Sequence, residues 1–273
     1  MNTFKGKVSI VTGGASGIGR ALCKELARKG AVVAVADINL EGATQVAMAI
    51  NEEGGHALAA HLDVCCAEDV ESLIEKIVND FGRIDYMFNN AGTNIAGEAR
   101  DLSFEHWHRV VDTNLWGVIH GTSAAYKQMV KQGFGHIVNT ASLAGLTGLP
   151  MNAAYSATKH AVVGLSNSIR VEAVGLGVNV TVVCPAFIQT HGLESVTVVN
   201  ASRNDLTGNI PLKPMRPERA AQRILRGVAA NRGMVVFPPY ARLVWWLTRL
   251  NGALLVPVGL KTVERFRASR ADS

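Results

Sequence analysis

Apolar residues fall along this chain in short, nearly unbroken runs, separated by longer stretches in which they recur every three or four positions. The runs near 7–12, 31–36, 56–61, 84–88, 134–140, 177–183 and 233–237 have the length of strands, and their continuity is that of strands covered on both faces. The segments between them are helix-length, as in Arg20 to Lys29, a helix starting near Leu40, Phe104 to Lys131, and 152–175. Strand alternating with helix predicts an α/β fold: a doubly wound parallel β-sheet of about seven strands, with right-handed crossovers placing helices on both faces. In such a sheet the ligand cleft lies at the carboxyl ends of the strands. Gly13, Asp37, Asn90, Ser142 and Pro185 each follow an apolar run, as that geometry requires.

Composition narrows the picture. With 273 residues, 48% hydrophobic and 18% charged, the chain suits one well-packed unit, read as 1–237, followed by an apolar and basic extension, 238–273. No linker, repeat or low-complexity tract interrupts it. The start Met1 to Lys7 has no charged-then-apolar leader, so a cytoplasmic protein is expected. Cys23, Cys65, Cys66 and Cys184 have no paired metal-ligand spacing and the eight histidines form no cluster, so no catalytic metal is expected.

The first run leads into Thr12-Gly13-Gly14-Ala15-Ser16-Gly17-Ile18-Gly19 and then a helix-like stretch. Glycines allow a tight turn and close backbone approach, and the helix N-terminus behind them offers unpaired N–H groups to a pyrophosphate. The spacing Gly-x-x-x-Gly-x-Gly is not the commoner one, but its strand-turn-helix context is the one a nucleotide requires. Gly13, Ser16, Gly17, Ile18 and Gly19 are therefore candidate cofactor contacts. Asp37, about twenty positions on, can accept hydrogen bonds from ribose hydroxyls and repels a 2′-phosphate, which selects NAD. Ser16 and Ile38 stand where basic residues could otherwise have held that phosphate. Asp37 could at the same time cap the helix near Leu40.

Tyr155 and Lys159 are an i, i+4 pair, thirteen residues after Ser142. On a helix they share a face with about 5–6 Å between Cβ atoms. An ammonium beside a phenol favours phenolate and is expected to bring the tyrosine pKa down from about 10, towards acid-base work. Alone, such a pair is common on solvated helices. Here it accompanies a nucleotide turn.

In this order and spacing, the residues resemble the compact Tyr-x-x-x-Lys branch of the short-chain dehydrogenases/reductases, a Rossmann-type family, from about Phe4 to Phe237. The resemblance implies that Asp63 and Val64 reach the adenine. It implies that Asn89, Asn90, Ala91 and Gly92 support the sheet beside the cofactor, and that Asn114, Ser142, Tyr155 and Lys159 form the catalytic tetrad. Pro185 through Thr190 resembles the segment passing the nicotinamide, with Ile188 and Thr190 at the positions that hold the carboxamide. Ala186 departs from the glycine usual there, which matters if the backbone needs a positive φ. The implied chemistry has Ser142 bonding the substrate oxygen and Tyr155 exchanging a proton with it. Lys159 would hold phenolate and nicotinamide ribose, and Asn114 a water leading to solvent. The resemblance also implies a homodimer or homotetramer, paired through 104–131 and 152–175.

The function expected is an NAD-dependent interconversion of a secondary alcohol and a ketone, with Asp37 favouring oxidation. Leu143, Leu146, Leu149 and Met151 suggest a lipophilic small-molecule substrate. An NADPH-type ketoreductase on an acyl-thioester would share these motifs, and a non-catalytic NAD-binding membrane-associated protein is the other alternative. His191 follows Thr190 at the mouth of the substrate loop, as a solvated histidine or a substrate contact. The basicity belongs to the end of the chain: residues 212–273 hold 12 Lys and Arg against 3 Asp and Glu, a charge of +9, leaving −4 on the rest. Within it, Tyr240 to Leu250 reads as an amphipathic helix. Pro257 reads as a break before Lys261, Arg265, Arg267 and Arg270. This tail is too interrupted to span a bilayer. Packing over the pocket or on a partner, and peripheral membrane contact through 240–270, both remain open. Basic residues alternating with large apolar ones argue against nucleic acid.

Overall fold

The computed structural model describes residues 3–189, 196–200 and 214–271, with side chains through 268. Each of the seven apolar runs is a strand within two residues of its expected bounds: β1 Val8–Thr12, β2 Val32–Asp37, β3 His56–His61, β4 Tyr86–Asn89, β6 Gly135–Thr140, β7 Val178–Pro185 and β9 Met234–Phe237. They form one sheet in the order β3-β2-β1-β4-β6-β7-β9, with every pairing parallel. Among the described residues two further strands, β5 Ile95–Ala96 and β8 Thr197–Val198, pair with each other in a separate two-stranded sheet and are too short to leave a periodic signal.

Alternation along the strands divides the core. Val11, Val33, Val35 and Val235 pack beneath α1 Gly17–Arg28, α2 Leu40–Glu52 and α7 Pro217–Ala229, meeting Leu22, Leu26, Ile50 and Ile224. Their neighbours Ile10, Ala34, Met87 and Ile137 point to the opposite face. There α3 Ala67–Phe81, α5 Gly117–Gln132 and α6 Ala153–Glu172 cover them with residues such as Ile77, Met129 and Ile169. A period of two along strands buried on both sides produces this split.

The stretch 104–131 is helical throughout, as expected, but not uniformly α. α4 Phe104–Val111 and α5 are joined by a π turn, Asp112–Trp116. The Asn114 amide accepts from the Thr93 N–H at 2.8 Å and donates to the Thr93 carbonyl at 2.8 Å. Gly117 meanwhile sits against Val64, where a Cβ would lie 2.7 Å from Val64 Cγ2. The extra residue of a π turn lets the chain satisfy both demands while continuing as a helix.

A second difference lies in the tail, where Pro257 opens a helix rather than breaking one. α8 Pro239–Leu250 ends at Asn251, whose side chain accepts from the Ala253 N–H at 2.9 Å, and α9 Val256–Ala271 follows. Proline is tolerated in a first turn because its missing donor has no partner there anyway. α8 packs inward through Ala241, Val244 and Trp245, joining a cluster with Leu143, Leu146 and Ala186. Phe266 of α9 is 2% exposed, and Arg267 donates to Glu98 Oε1 at 2.8 and 2.6 Å. Among the described residues no helix is long and apolar enough to cross a membrane.

His136 on β6 is buried, with Nε2 2.8 Å from the Thr181 hydroxyl on β7 and its ring 5.9 Å from that of Tyr86. Burial, and then the charge of Arg170, push its imidazole pKa down from 6.5 to about 4. Between these values the unfolded chain binds a proton that the folded chain excludes. Stability is therefore complete above pH 6.5 and lost as pH falls towards 4, by about 3 kcal/mol at most. Urea titrations across that window should show the loss, and His136→Gln should flatten it. A slope as steep as that of the unmodified protein would contradict the assignment.

Candidate active site

β1 ends at Thr12, and the chain turns through Gly13 (φ 66°) and Gly17 (φ 51°) into α1. A Cβ on Gly13 would lie 2.9 Å from Ala91 Cα, and one on Gly14 2.8 Å from Val35 Cγ1. On Gly19 it would overlap the Gly13 carbonyl. Ser16 takes the N-cap position in an extended conformation, exposed and without a side-chain cap bond, with Ile18 in the first turn behind it. The turn thus presents bare backbone at a helix N-terminus, which fits the diphosphate of a dinucleotide.

Neighbouring side chains hold that turn in shape. The Thr12 hydroxyl accepts from the N–H groups of Asn90 and Ala91, each at 3.0 Å, and the Asn90 amide donates to the Thr12 carbonyl at 3.0 Å. The two strands at the centre of the sheet are therefore tied together where the ligand would lie. Asp37, at the end of β2, accepts from Ala15 N at 3.0 Å and from Asn39 N at 2.9 Å. Its charge stands fixed beside the glycine turn. Asp63 and Val64 follow β3 on the same edge of the sheet; the Asp63 carboxylate accepts from Cys65 N at 2.9 Å, and the Val64 carbonyl lies 3.0 Å from His120 Nδ1.

The acid-base group assembles from three elements. Ser142 follows β6; its hydroxyl accepts from Ala144 N at 3.1 Å and donates to the Pro185 carbonyl, at the end of β7, at 3.4 Å. α6 brings Tyr155 and Lys159 to one face, with the ammonium 5.5 Å from the centre of the phenol ring. Lys159 Nζ donates to the Thr140 carbonyl at 2.9 Å. The π turn supplies Asn114. A Cβ built on Gly92 would lie 3.0 Å from Asn114 Oδ1 and 3.6 Å from Lys159 Nζ, so amide and ammonium flank this glycine. Tyr155 packs against the apolar cluster of Ile95, Val110 and Ala154, which Leu102, Trp107 and Val199 also adjoin, a wall contributed partly by β5.

Electrostatics differ from the sequence expectation in one respect. Burial pushes the Lys159 ammonium pKa down to about 8. The Tyr155 phenol is raised rather than lowered: burial dominates, and the nearby Ser142 hydroxyl opposes it. Partial removal from water disfavours the phenolate more strongly than the Ser142 hydroxyl favours it. In the protein alone, Tyr155 therefore keeps its proton.

Ile188 is buried and bridges to Met215. Ala186 is not among the described residues with positive φ, and its N–H donates to the Phe237 carbonyl at 2.9 Å, so its Cβ introduces no strain. Thr190 and His191 lie outside the described residues. The sequence pointed to Asn89 as a support of the sheet but not to Thr12, nor to the partners Thr122, Asn139 and Ser166 that join Asn89 in a buried cluster linking sheet and helices. In that cluster the Asn89 amide donates to Asn139 Oδ1 at 2.8 Å and to Thr122 at 3.1 Å, while the Asn139 amide donates to Ser166 at 3.1 Å. Asn139 left one legible signal, an amide directly after Ile137 and Val138 within the strand-like run 134–140.

Comparisons with known proteins agree with this fold. The sequence profile of the short chain dehydrogenases matches residues 7–198. The SadH protein of Mycobacterium tuberculosis is 34% identical over 258 residues, which cover 93% of this chain and 94% of SadH. A cyclohexanol dehydrogenase of an Acinetobacter species is 40% identical over 192 residues, covering 69% of this chain and 76% of that protein. Among solved structures, a short chain dehydrogenase/reductase from Burkholderia phymatum in complex with NAD superimposes with a TM-score of 0.86 at 26% identity. That match covers 93% of this chain and 96% of the other.

Thr12→Val keeps the shape but leaves the Asn90 and Ala91 N–H groups without their acceptor. Unfolding free energy should drop by about 1–3 kcal/mol, and dinucleotide affinity, read by fluorescence titration, should drop with it. Unchanged affinity would mean that the Thr12 bond does not shape the turn.

Proposed function

The chain belongs to the short-chain dehydrogenase family, and we propose that it is an NAD-dependent oxidoreductase interconverting a secondary alcohol and a ketone on a lipophilic substrate. The observation that carries this reading is the convergence of Asn114, Ser142, Tyr155 and Lys159 at the edge of the sheet that also bears the glycine turn.

Gly13, Ser16, Gly17, Ile18 and Gly19 would hold the diphosphate, and Asp37 the adenosine ribose. Asp63 and Val64 would meet the adenine, with Asn90, Ala91 and Gly92 beneath the central part. Pro185, Ile188 and Thr190 would hold the nicotinamide end, and Tyr155 and Lys159 its ribose. When bound, the nicotinamide takes up or gives the hydride. The remaining chemistry belongs to the protein. Ser142 donates to the substrate oxygen and positions it against Tyr155, whose phenol gives its proton to a carbonyl or receives one from an alcohol. Because burial keeps that phenol protonated, it is already a donor for reduction. For oxidation it must ionise, and the Lys159 ammonium lowers the cost of doing so.

NAD is favoured over NADP by the fixed carboxylate of Asp37 and by exposed Ser16 and Ile38, neither of which brings a positive charge to a 2′-phosphate. Lipophilicity is supported by buried Leu143 and Met151 between Ser142 and Tyr155, and by the cyclohexanol dehydrogenase among the relatives. A homo-oligomer paired through α4–α5 and α6 is supported by exposed Phe104 and Trp116 on one side and Val171 and Val174 on the other.

Tyr155→Phe removes the exchangeable proton. A panel of secondary alcohols followed by NADH absorbance should show a fall in kcat of about 10²–10⁴-fold with NAD affinity retained; substantial residual turnover would refute the role. Asp37→Ala should weaken NAD and raise relative use of NADP, and an unchanged ratio of the two kcat/KM values would count against the ribose contact.

A further inference from the structure

α8 carries two apolar faces. One, through Ala241, Val244 and Trp245, packs on the protein body. The other bears Leu243, Trp246 and Leu250, which are 59%, 61% and 62% exposed and fall three and four residues apart, in one stripe. After the turn at Asn251, α9 continues with exposed Val256, Val258 and Leu260. Exposed Arg242 and Arg249 border the stripe on α8, and exposed Lys261 follows on α9. The Arg249 guanidinium lies 5.6 Å from the Trp245 ring.

This ridge is held in place. Arg267 donates twice to Glu98, which also accepts from Arg100 at 2.7 Å, and Phe266 is buried beside that pair. Gly259 sits against Pro150, where a Cβ would lie 3.2 Å from Pro150 Cγ. Both ends of the helical pair are thus fixed to the body, and the second apolar face stays outward.

We propose that the outer face of α8 and α9 docks on an anionic lipid surface, with Leu243, Trp246 and Leu250 immersed at the level of the headgroups and Arg242, Arg249 and Lys261 pairing with lipid phosphates. A tryptophan among aliphatic residues, with basic residues along one border, is the pattern of a helix lying in the interface plane. Charge decides against a second copy of the chain as the occupant. A two-fold contact would set these cations against their own copies, while 238–268 contains a single acid, Glu264. Anionic headgroups supply the missing countercharge. Docking stands independently of the proposed reaction. Its consequence for the enzyme rests on that reading: because α8 packs on Leu143, Leu146 and Ala186, beside Ser142 and Pro185, docking would bring the substrate cleft close to lipid.

The test is co-sedimentation of the full chain with phosphatidylcholine vesicles and with mixed phosphatidylcholine–phosphatidylglycerol vesicles, with tryptophan emission as a second readout. Binding to the mixed vesicles with a blue shift is expected, weakening with salt. Arg249→Glu with Lys261→Glu should weaken it about tenfold or more, and Trp246→Glu with Leu250→Glu should abolish it while circular dichroism and dinucleotide affinity stay as they were. Failure to sediment, sedimentation insensitive to both pairs of substitutions, or a lipid-independent oligomer dissolved by Trp246→Glu with Leu250→Glu would each overturn the proposal. Turnover is measured without vesicles, so loss of the docking idea and loss of the enzymatic reading are separate results.

Discussion

Lys159 holds an ammonium group almost out of reach of water, 3% exposed, and the candidate site is organised around that cost. Its bond to the Thr140 carbonyl and the nearby Asn114 amide oxygen provide dipoles but no countercharge. Burial consequently brings its pKa down to about 8. Tyr155 has the opposite difficulty, since burial makes its phenolate expensive. Each charge is costly alone, and each lowers the cost of the other. Burial thus acts on both groups in the direction of the neutral form, the amine for Lys159 and the phenol for Tyr155.

Such a pair works only if its helix cannot shift, and the fixing is done by polar atoms inside the core. Asn89 on β4, Asn139 on β6, Thr122 on α5 and Ser166 on α6 form one hydrogen-bonded cluster between sheet and helices. Apolar contacts alone would tolerate sliding by a fraction of an ångström. Directional bonds in a low-dielectric interior do not, because a buried donor left unpaired is penalised in full. Gly121 allows the close approach, since a Cβ there would strike the Asn89 amide oxygen. On the other side of β4, Thr12 and Asn90 perform the same task for the glycine turn.

The carboxyl-terminal helices extend this logic outward. Tyr240 and Trp245 close the apolar cluster beside Leu143 and Ala186, so the last part of the chain completes the surroundings of Ser142. Glu98, drawn well below the usual carboxylate range, to about 2, by Arg267 and then Arg100, fastens α9 next to β5. Packing on the body uses one face of α8 and leaves the other, equally apolar, in the open.

The seven-stranded parallel sheet was legible in the chain, because strands buried on both faces must be apolar throughout and glycines must mark a turn with no room for Cβ. The positions of Gly13, Asp37, Ser142, Tyr155 and Lys159 followed from local spacing, which sets the face of a helix and the end of a strand. Three things required tertiary structure: the π turn that aims Asn114, the hydroxyl of Thr12 as an organiser, and the rise of the Tyr155 pKa. A π turn depends on what Thr93 and Val64 present from distant parts of the chain, and burial depends on the whole surrounding packing. Spacing along the sequence records which groups are neighbours on an element; solvation and hydrogen-bond partners are set by every other element that closes over them.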